Sequence, residues 1–320
     1  MGTLVGRCRA GTRTLGVLMA SPAIVPPLSP SAKVAAYVAL MKLRVVELLL
    51  VTTVPVMVVA NNGMPSLWLM FATVVGGTLS AGGANAINMV VDRDIDALME
   101  RTKNRPLVTG AITPRAALTF AIGIEVLAFV WLAVFVNLLS AVLALGACCF
   151  YVFVYTLWLK RTSTQNIVIG GAAGAVPVLI GWSSVTNSVS WSAVVLFGVI
   201  FFWTPPHFWA LAIKYKDDYG KAGVPMLPAV ADHRTTTLKM LVYSVVVVLL
   251  SLVYGWTAGL GVLYWVSAVV LGVLFLWFCW DVRRTEEPAK AIRLFTFSIT
   301  YVTLLFGVMA ADVLIRNAVR

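Results

Sequence analysis

Nine apolar runs, each about as long as a bilayer is thick, leave this chain one class of fold. They lie near residues 40–60, 66–91, 115–135, 138–158, 165–185, 190–212, 238–258, 260–280 and 293–314. Lipid offers no water to satisfy backbone N–H and C=O groups, so a run of about 20 apolar residues must be a helix. The expectation is an all-α polytopic membrane protein with nine transmembrane helices. Composition agrees, with 60% hydrophobic and 12% charged residues, where a soluble domain carries roughly 25% charged. The runs leave no room for a separate soluble domain. Residues 36–320 read as one membrane-embedded domain. Residues 1–35, with Arg7, Arg9, Arg13 and four prolines but no acid, read as a flexible cytoplasmic tail; a mitochondrial transit peptide is the alternative.

The net charge of +11 would suggest nucleic acid in a soluble protein. Here its placement points to the bilayer instead. Lys and Arg fill alternate loops, and the loops around Asn61, Asn137, Thr186 and Gly259 have none. By that alternation, 22 of the 24 basic residues share one side with the N-terminus, leaving Arg316 and Arg320 opposite. The positive-inside rule makes the basic side cytoplasmic (or matrix-facing) and the C-terminus external. The four cysteines, Cys8, Cys148, Cys149 and Cys279, have no metal or redox spacing and read as packing residues. Gly170-Gly-Ala-Ala-Gly-Ala-Val-Pro177 lacks the Lys-Ser/Thr ending of a phosphate loop, and reads as a stripe for close helix packing.

The chemistry concentrates where the second run ends. Asn88, Asp92 and Asp96 fall at i, i+4 and i+8, one helix face. Asp94 lies about 160° round from Asp92. Carboxylates crowded at a membrane helix end repel one another and are costly to draw inward. Oxygen-only ligands suit a hard cation that keeps some water, so Mg²⁺ is the expected ion, bridging to a phosphate. Arg93, Arg101, Lys103 and Arg105 could hold that phosphate. A charged loop with mixed salt bridges is the plain alternative. A second acidic pair, Asp217 and Asp218, follows the sixth run on the same side, among Lys214, Lys216 and Lys221. Two acidic clusters flanked by cations fit one task, metal-assisted holding of a diphosphate. Lys42 and Arg44 enter the first run from that side and can reach the same anion, or snorkel to the interface. Pro205 and Pro206 should loosen the sixth helix. His207 follows them, as a structural residue, a haem ligand or a proton carrier. Glu47 and Glu125 are acids in or near apolar runs with no assigned role.

These residues resemble the intramembrane aromatic prenyltransferase superfamily, whose signature N-x-x-x-D-x-x-x-D reads here Asn88, Asp92, Asp96. Asp92 to Leu107, Trp203 to Ala212 and Tyr215 to Pro228 are similar to the branch that farnesylates protohaem IX. The resemblance covers about residues 36–315. Met89 stands where many relatives have Asp. Lys214 stands where many begin a second D-x-x-x-D, so the second site has fewer carboxylates and Lys214 can meet the diphosphate directly.

The resemblance implies transfer of the farnesyl group of farnesyl diphosphate to a vinyl group of haem B, with addition of water, giving haem O. It implies Mg²⁺ on Asn88, Asp92, Asp96 and Asp218, with Asp217 beside them. It implies diphosphate on Arg93, Lys103, Arg105, Lys214, Lys42 and Arg44, and haem at His207. The active site is expected at the cytoplasmic helix ends, in a bacterial plasma membrane or, alternatively, the mitochondrial inner membrane. Haem A synthase or oxidase assembly factors are the implied protein partners, and no nucleic acid. Rival readings are the same fold with a quinone or chlorophyll precursor as acceptor, and a cation-coupled transporter. The transporter would place its charges near the midplane.

Overall fold

A computed structural model describes residues 29–319, apart from the side chains of residues 44–50. The expectations for residues 1–28, and for the Arg44 and Glu47 side chains, lie outside the described residues. Every regular element described is helical. The elements are α1 (Pro30–Leu40), α2 (Leu43–Ala60), α3 (Leu67–Val91), α4 (Arg93–Leu98), α5 (Pro114–Phe135) and α6 (Leu138–Cys149). A π-helical segment, Phe150–Leu159, continues α6 into α7 (Lys160–Thr162). Then come α8 (Asn166–Thr186), α9 (Trp191–Lys214), α10 (Lys216–Lys221), α11 (Leu227–Val230), α12 (His233–Thr257), α13 (Val262–Arg284) and α14 (Pro288–Val319).

Among the described residues, eight helices are long and apolar enough to cross a membrane, and each overlies one of the last eight expected runs. The first run corresponds to α2, of which Val51–Ala60 is the described apolar part. The chain is a multi-pass membrane protein. α1 begins at Pro30, within the segment expected to be tail.

Local chemistry sets the helix starts. Ser66, Asn137, Ser190 and Asp232 each accept a hydrogen bond from the backbone N–H three residues on, at 3.1, 2.8, 3.3 and 3.3 Å. Thr113 does the same for α5, with Pro114 at the first helical position. Pro205 and Pro206 do not end α9, which is helical from Trp191 to Lys214.

Among the described residues, nine long elements close a ring. α2 packs on α3, α3 on α5, α5 on α6, α6 on α8, α8 on α9, α9 on α12, α12 on α13, α13 on α14, and α14 returns to α2. α2 also meets α8, and α9 meets α14, across the inside. At the end opposite the acidic motif, hydrogen bonds join the loops. Asn317 donates to the Asn62 carbonyl (2.5 Å), Arg316 to the Gly259 carbonyl (2.8 Å), and Gly261 N–H to Asp312 (2.7 Å). Asn137 donates to the Ser183 carbonyl (2.8 Å).

Small residues set the helix spacing, as the α8 glycine stripe led us to expect. A Cβ on Gly170 would stand 2.3 Å from the Tyr155 ring, and one on Gly181 2.7 Å from the Thr53 carbonyl. The carbonyl belongs to the backbone and cannot turn aside. Gly181→Ala should therefore lose about 1–3 kcal/mol, read as a lower midpoint of heat-induced aggregation in detergent. Gly146→Ala, with open space at its Cβ, should not. Equal midpoints for the two variants would contradict this packing.

Candidate active site

Inside the ring lies a cavity of about 1070 Å³. α2, α3, the α6–π segment, α8, α9 and α14 line it, along with residues from α1, α4, α7, α10 and the loops; α5, α12 and α13 do not. The volume exceeds the roughly 300–1,000 Å³ of ordinary single-ligand pockets. The cavity has three zones. Its mouth carries Lys42, Asn88, Asp96, Arg101, Arg105 and Lys160. An apolar zone includes Val51, Val74, Ala81, Ala144, Pro177 and Ile180. A third wall, on α9 and α14, carries Trp203, His207, Phe208, Phe295 and Ile299.

The mouth is built from the end of α3. α3 stops at Val91 and α4 starts at Arg93, yet helical hydrogen bonds continue through the junction. Asp92 N–H donates to the Asn88 carbonyl (2.9 Å) and Asp96 N–H to the Asp92 carbonyl (2.8 Å). This keeps Asn88, Asp92 and Asp96 in one line, and all three are buried. Asn88 Nδ2 donates to Asp92 Oδ2 at 2.7 Å. Asp94 points elsewhere, as its angular position requires. It is exposed and pairs with Arg161 at 2.7 Å, and that guanidinium pulls its carboxyl down to about 2.

Each remaining member of the row meets a cation. Lys160 bonds Asp92 Oδ2. Arg105 bonds Asp96 Oδ2 at 2.5 Å, and Lys42 donates to Asn88 Oδ1 at 2.8 Å. Lys42 precedes α2 with a left-handed backbone (φ 51°), a conformation costing a lysine of order 1–3 kcal/mol. That turn brings its amine to α3. Burial, together with the Arg105 and Lys160 charges, pushes this ammonium down to about 7, against the opposite pull of Asp96 and Asp92.

The Lys160 contact depends on the π-helical segment. Tyr151 and Lys160 are nine residues apart, two and a half turns of an α-helix, and would face opposite ways. The i→i+5 bonding of a π-helix widens each turn, so Tyr151, Tyr155, Thr156 and Lys160 turn to α3 and the cavity. Tyr151 and Tyr155 stack at 5.3 Å, and Thr156 accepts from Asn88 Nδ2 at 3.1 Å. Sequence reasoning took Lys160 and Arg161 only as topology signals. The four- and five-residue spacing of Tyr151, Tyr155 and Lys160 was the signal available.

The other expected residues sit further out. Asp217 is exposed and Asp218 half-buried on α10; neither lines the cavity, although the adjacent Tyr219 does. Arg93 is exposed, Lys103 pairs with Glu100 at 2.5 Å, and Lys214 lies over the Tyr215 ring at 5.5 Å. Among the described residues no three His, Cys, Asp or Glu side chains cluster as a metal site. His207 is buried in the third wall. Glu125 is also buried, accepting from Ser80 at 2.9 Å.

Mg²⁺ fits the α3 row on one observation. Asp92 Oδ1 is buried with no hydrogen-bond partner, and the Arg161 guanidinium stands 3.8 Å from it. An orphaned carboxylate oxygen in an oxygen-only donor set is what a hard divalent ion would satisfy.

A helical ring around a largely apolar cavity, with buried carboxylates and cations gathered at one mouth, is the architecture of an intramembrane enzyme. The chain belongs to the UbiA prenyltransferase family, whose profile matches residues 49–304. It is 57% identical over 289 residues to a protein of Frankia alni named protoheme IX farnesyltransferase, covering 89% of this chain and 100% of that one. It is 51% identical over 291 residues to a Streptomyces coelicolor protein of the same name, covering 89% and 92%. Its fold is similar to a solved digeranylgeranylglyceryl phosphate synthase (TM-score 0.73, 16% identity, covering 88% and 99%). It is likewise similar to a UbiA homologue from Archaeoglobus fulgidus bound to GPP and Mg²⁺ (TM-score 0.59, 19% identity, covering 86% and 99%).

Proposed function

We infer that this protein farnesylates haem B. The observation that carries the reading is the three-zone cavity, joined to relatives of at least half identity that bear the name protoheme IX farnesyltransferase. The diphosphate of farnesyl diphosphate lies at the mouth, its tail in the apolar zone, and the porphyrin against the α9–α14 wall, with His207 toward the iron. The protein spans a bacterial plasma membrane with the mouth on the cytoplasmic side, in keeping with its basic loops.

Asn88, Asp92 and Asp96 would hold Mg²⁺. Asp218 and Asp217 would complete the acidic set from α10, beside the cavity-lining Tyr219. Bound there, Mg²⁺ supplies Lewis-acid neutralisation of the diphosphate. Arg105 and Lys160 face the leaving group with positive charge, and Lys42 adds its own when protonated, which stabilises the electron pair it carries away. Lys103, Arg93 and Lys214 attract the anion from the exposed rim. The C1–O bond of the farnesyl group breaks, and its pair goes to diphosphate. The vinyl π pair then forms a bond to C1, leaving a cation on the carbon next to the porphyrin ring. Water adds there and loses its proton, giving a hydroxyethylfarnesyl side chain. The apolar zone keeps water from the allylic cation until the vinyl group has reacted. No nucleophilic side chain is needed.

Membranes containing the protein, given haem B, farnesyl diphosphate and Mg²⁺, should yield a haem heavier by one farnesyl group plus one hydroxyl. A chelator should abolish it. Unchanged haem, with the protein intact, would overturn the acceptor. Full product in chelator would overturn the metal.

A further inference from the structure

The α9–α14 wall of the cavity has its own polar network, which the departure of diphosphate does not use. The His207 imidazole lies between Trp203 and Phe295, with ring centroids 4.2 and 4.5 Å away and interplanar angles of 19° and 24°. Phe208 meets its edge at 5.2 Å. His207 Nδ1 is 2.7 Å from Ser298 Oγ. The Ser298 hydroxyl is 2.6 Å from the Phe295 carbonyl and donates to it. The Ser298 carbonyl accepts from Trp203 Nε1 at 2.9 Å. One fully buried serine on α14 thus fixes both the imidazole and the indole stacked on it.

Proton counting assigns the tautomer. A serine hydroxyl has one hydrogen, and here it is given to Phe295. With that hydrogen directed at the Phe295 carbonyl, which can only accept, Ser298 offers His207 a lone pair and Nδ1 carries the N–H. Nothing in this aromatic wall offers a counter-charge to an imidazolium. A neutral imidazole has a single N–H, which leaves Nε2 with a bare lone pair. His207 lines the cavity, and its Nε2 has no hydrogen-bond partner among the described residues. A neutral imidazole held this way, with its other nitrogen hydrogen-bonded, is the form that ligates a metal.

We propose that Ser298 is a positioning residue that locks His207 in the Nδ1–H tautomer, so that Nε2 is the axial ligand of the substrate's haem iron. This rests on the haem reading above. Trp203 and Phe295 fix the plane of the ring, and Ser298 fixes its proton. Iron held from α9 in one orientation holds a vinyl edge of the porphyrin at one place relative to the farnesyl C1.

The test is spectroscopic. Protein in lipid nanodiscs is titrated with haem B, and the Soret band, the dissociation constant and the iron–histidine stretch of the ferrous form are read. The unaltered protein should show the stretch. Ser298→Ala should bind haem about 10–100-fold more weakly, with the stretch displaced, and Ser298→Thr should restore both. His207→Gly should lose the stretch and regain it with added imidazole. Wild-type affinity and an unmoved stretch in Ser298→Ala would overturn the role of Ser298. A wild-type protein that converts haem but shows no stretch would overturn the ligation while leaving the haem reading in place. Neither binding nor conversion of haem would remove the haem reading itself.

Discussion

Asp92→Asn should lower turnover by roughly 10²–10³-fold or more while the protein remains inserted at its normal level. Asp92 is fully buried in the α3–α4 junction. Its Oδ2 takes Lys160 and Asn88, and its Oδ1 has no partner. Asparagine keeps the shape and removes the charge. The position of Oδ1 is then filled by an amide oxygen or nitrogen, neither of which holds a hard divalent ion as a carboxylate does. The measurement is haem product per unit of protein extracted from the membrane. Undiminished product in the variant would end the metal assignment to this row.

Lys160→Met should cost about 10²-fold in kcat/KM, shared between a higher KM for the prenyl diphosphate and a lower kcat. The lysine has two tasks, which the double variant separates. In the empty site it neutralises Asp92. On the mechanism proposed above, it also presents charge to the departing diphosphate. Removing one partner of a buried pair leaves the other uncompensated, at about 3–5 kcal/mol; Arg161, 3.8 Å from Asp92, keeps the loss toward the lower end. Asp92→Asn combined with Lys160→Met should therefore melt higher than either single variant and remain inactive. A double variant no more stable than the singles would show that the two side chains are not coupled.

The reading of this chain from sequence succeeded where the signal is local. Apolar run length fixes the spans, and the spacing of Asn88, Asp92 and Asp96 follows from one helix period. Asp94's turn toward Arg161 follows from the same angle. What the sequence hid is non-local. Lys160 reaches Asp92 from 68 positions away because a π-helical segment changes the period, and an apolar aromatic run does not announce that change. Ser298 meets His207 across 91 positions because α9 and α14 pack together across the inside of the ring. The two carboxylates on α10 looked like part of the site from their neighbours in sequence. Those side chains do not line the cavity, although Tyr219 on the same short helix does, and only their proximity to the mouth places them in the proposed acidic set.

The ring is sealed at one end and open at the other, which makes the protein a cup and not a passage. The cavity lining stops at residues such as Thr73, Ile180 and Thr303, short of the loops stitched together by Asn317, Arg316 and Asp312. Both substrates are amphiphiles with an anionic head, diphosphate on one and propionates on the other, and both can dip their apolar bodies into such a cup without carrying a charge through the bilayer. The supply of both must come from the leaflet that the mouth faces. On the function proposed above, the product would keep its anionic edge at the same rim, with one more lipid chain than the haem that entered, and would return to that leaflet as a membrane-anchored pigment.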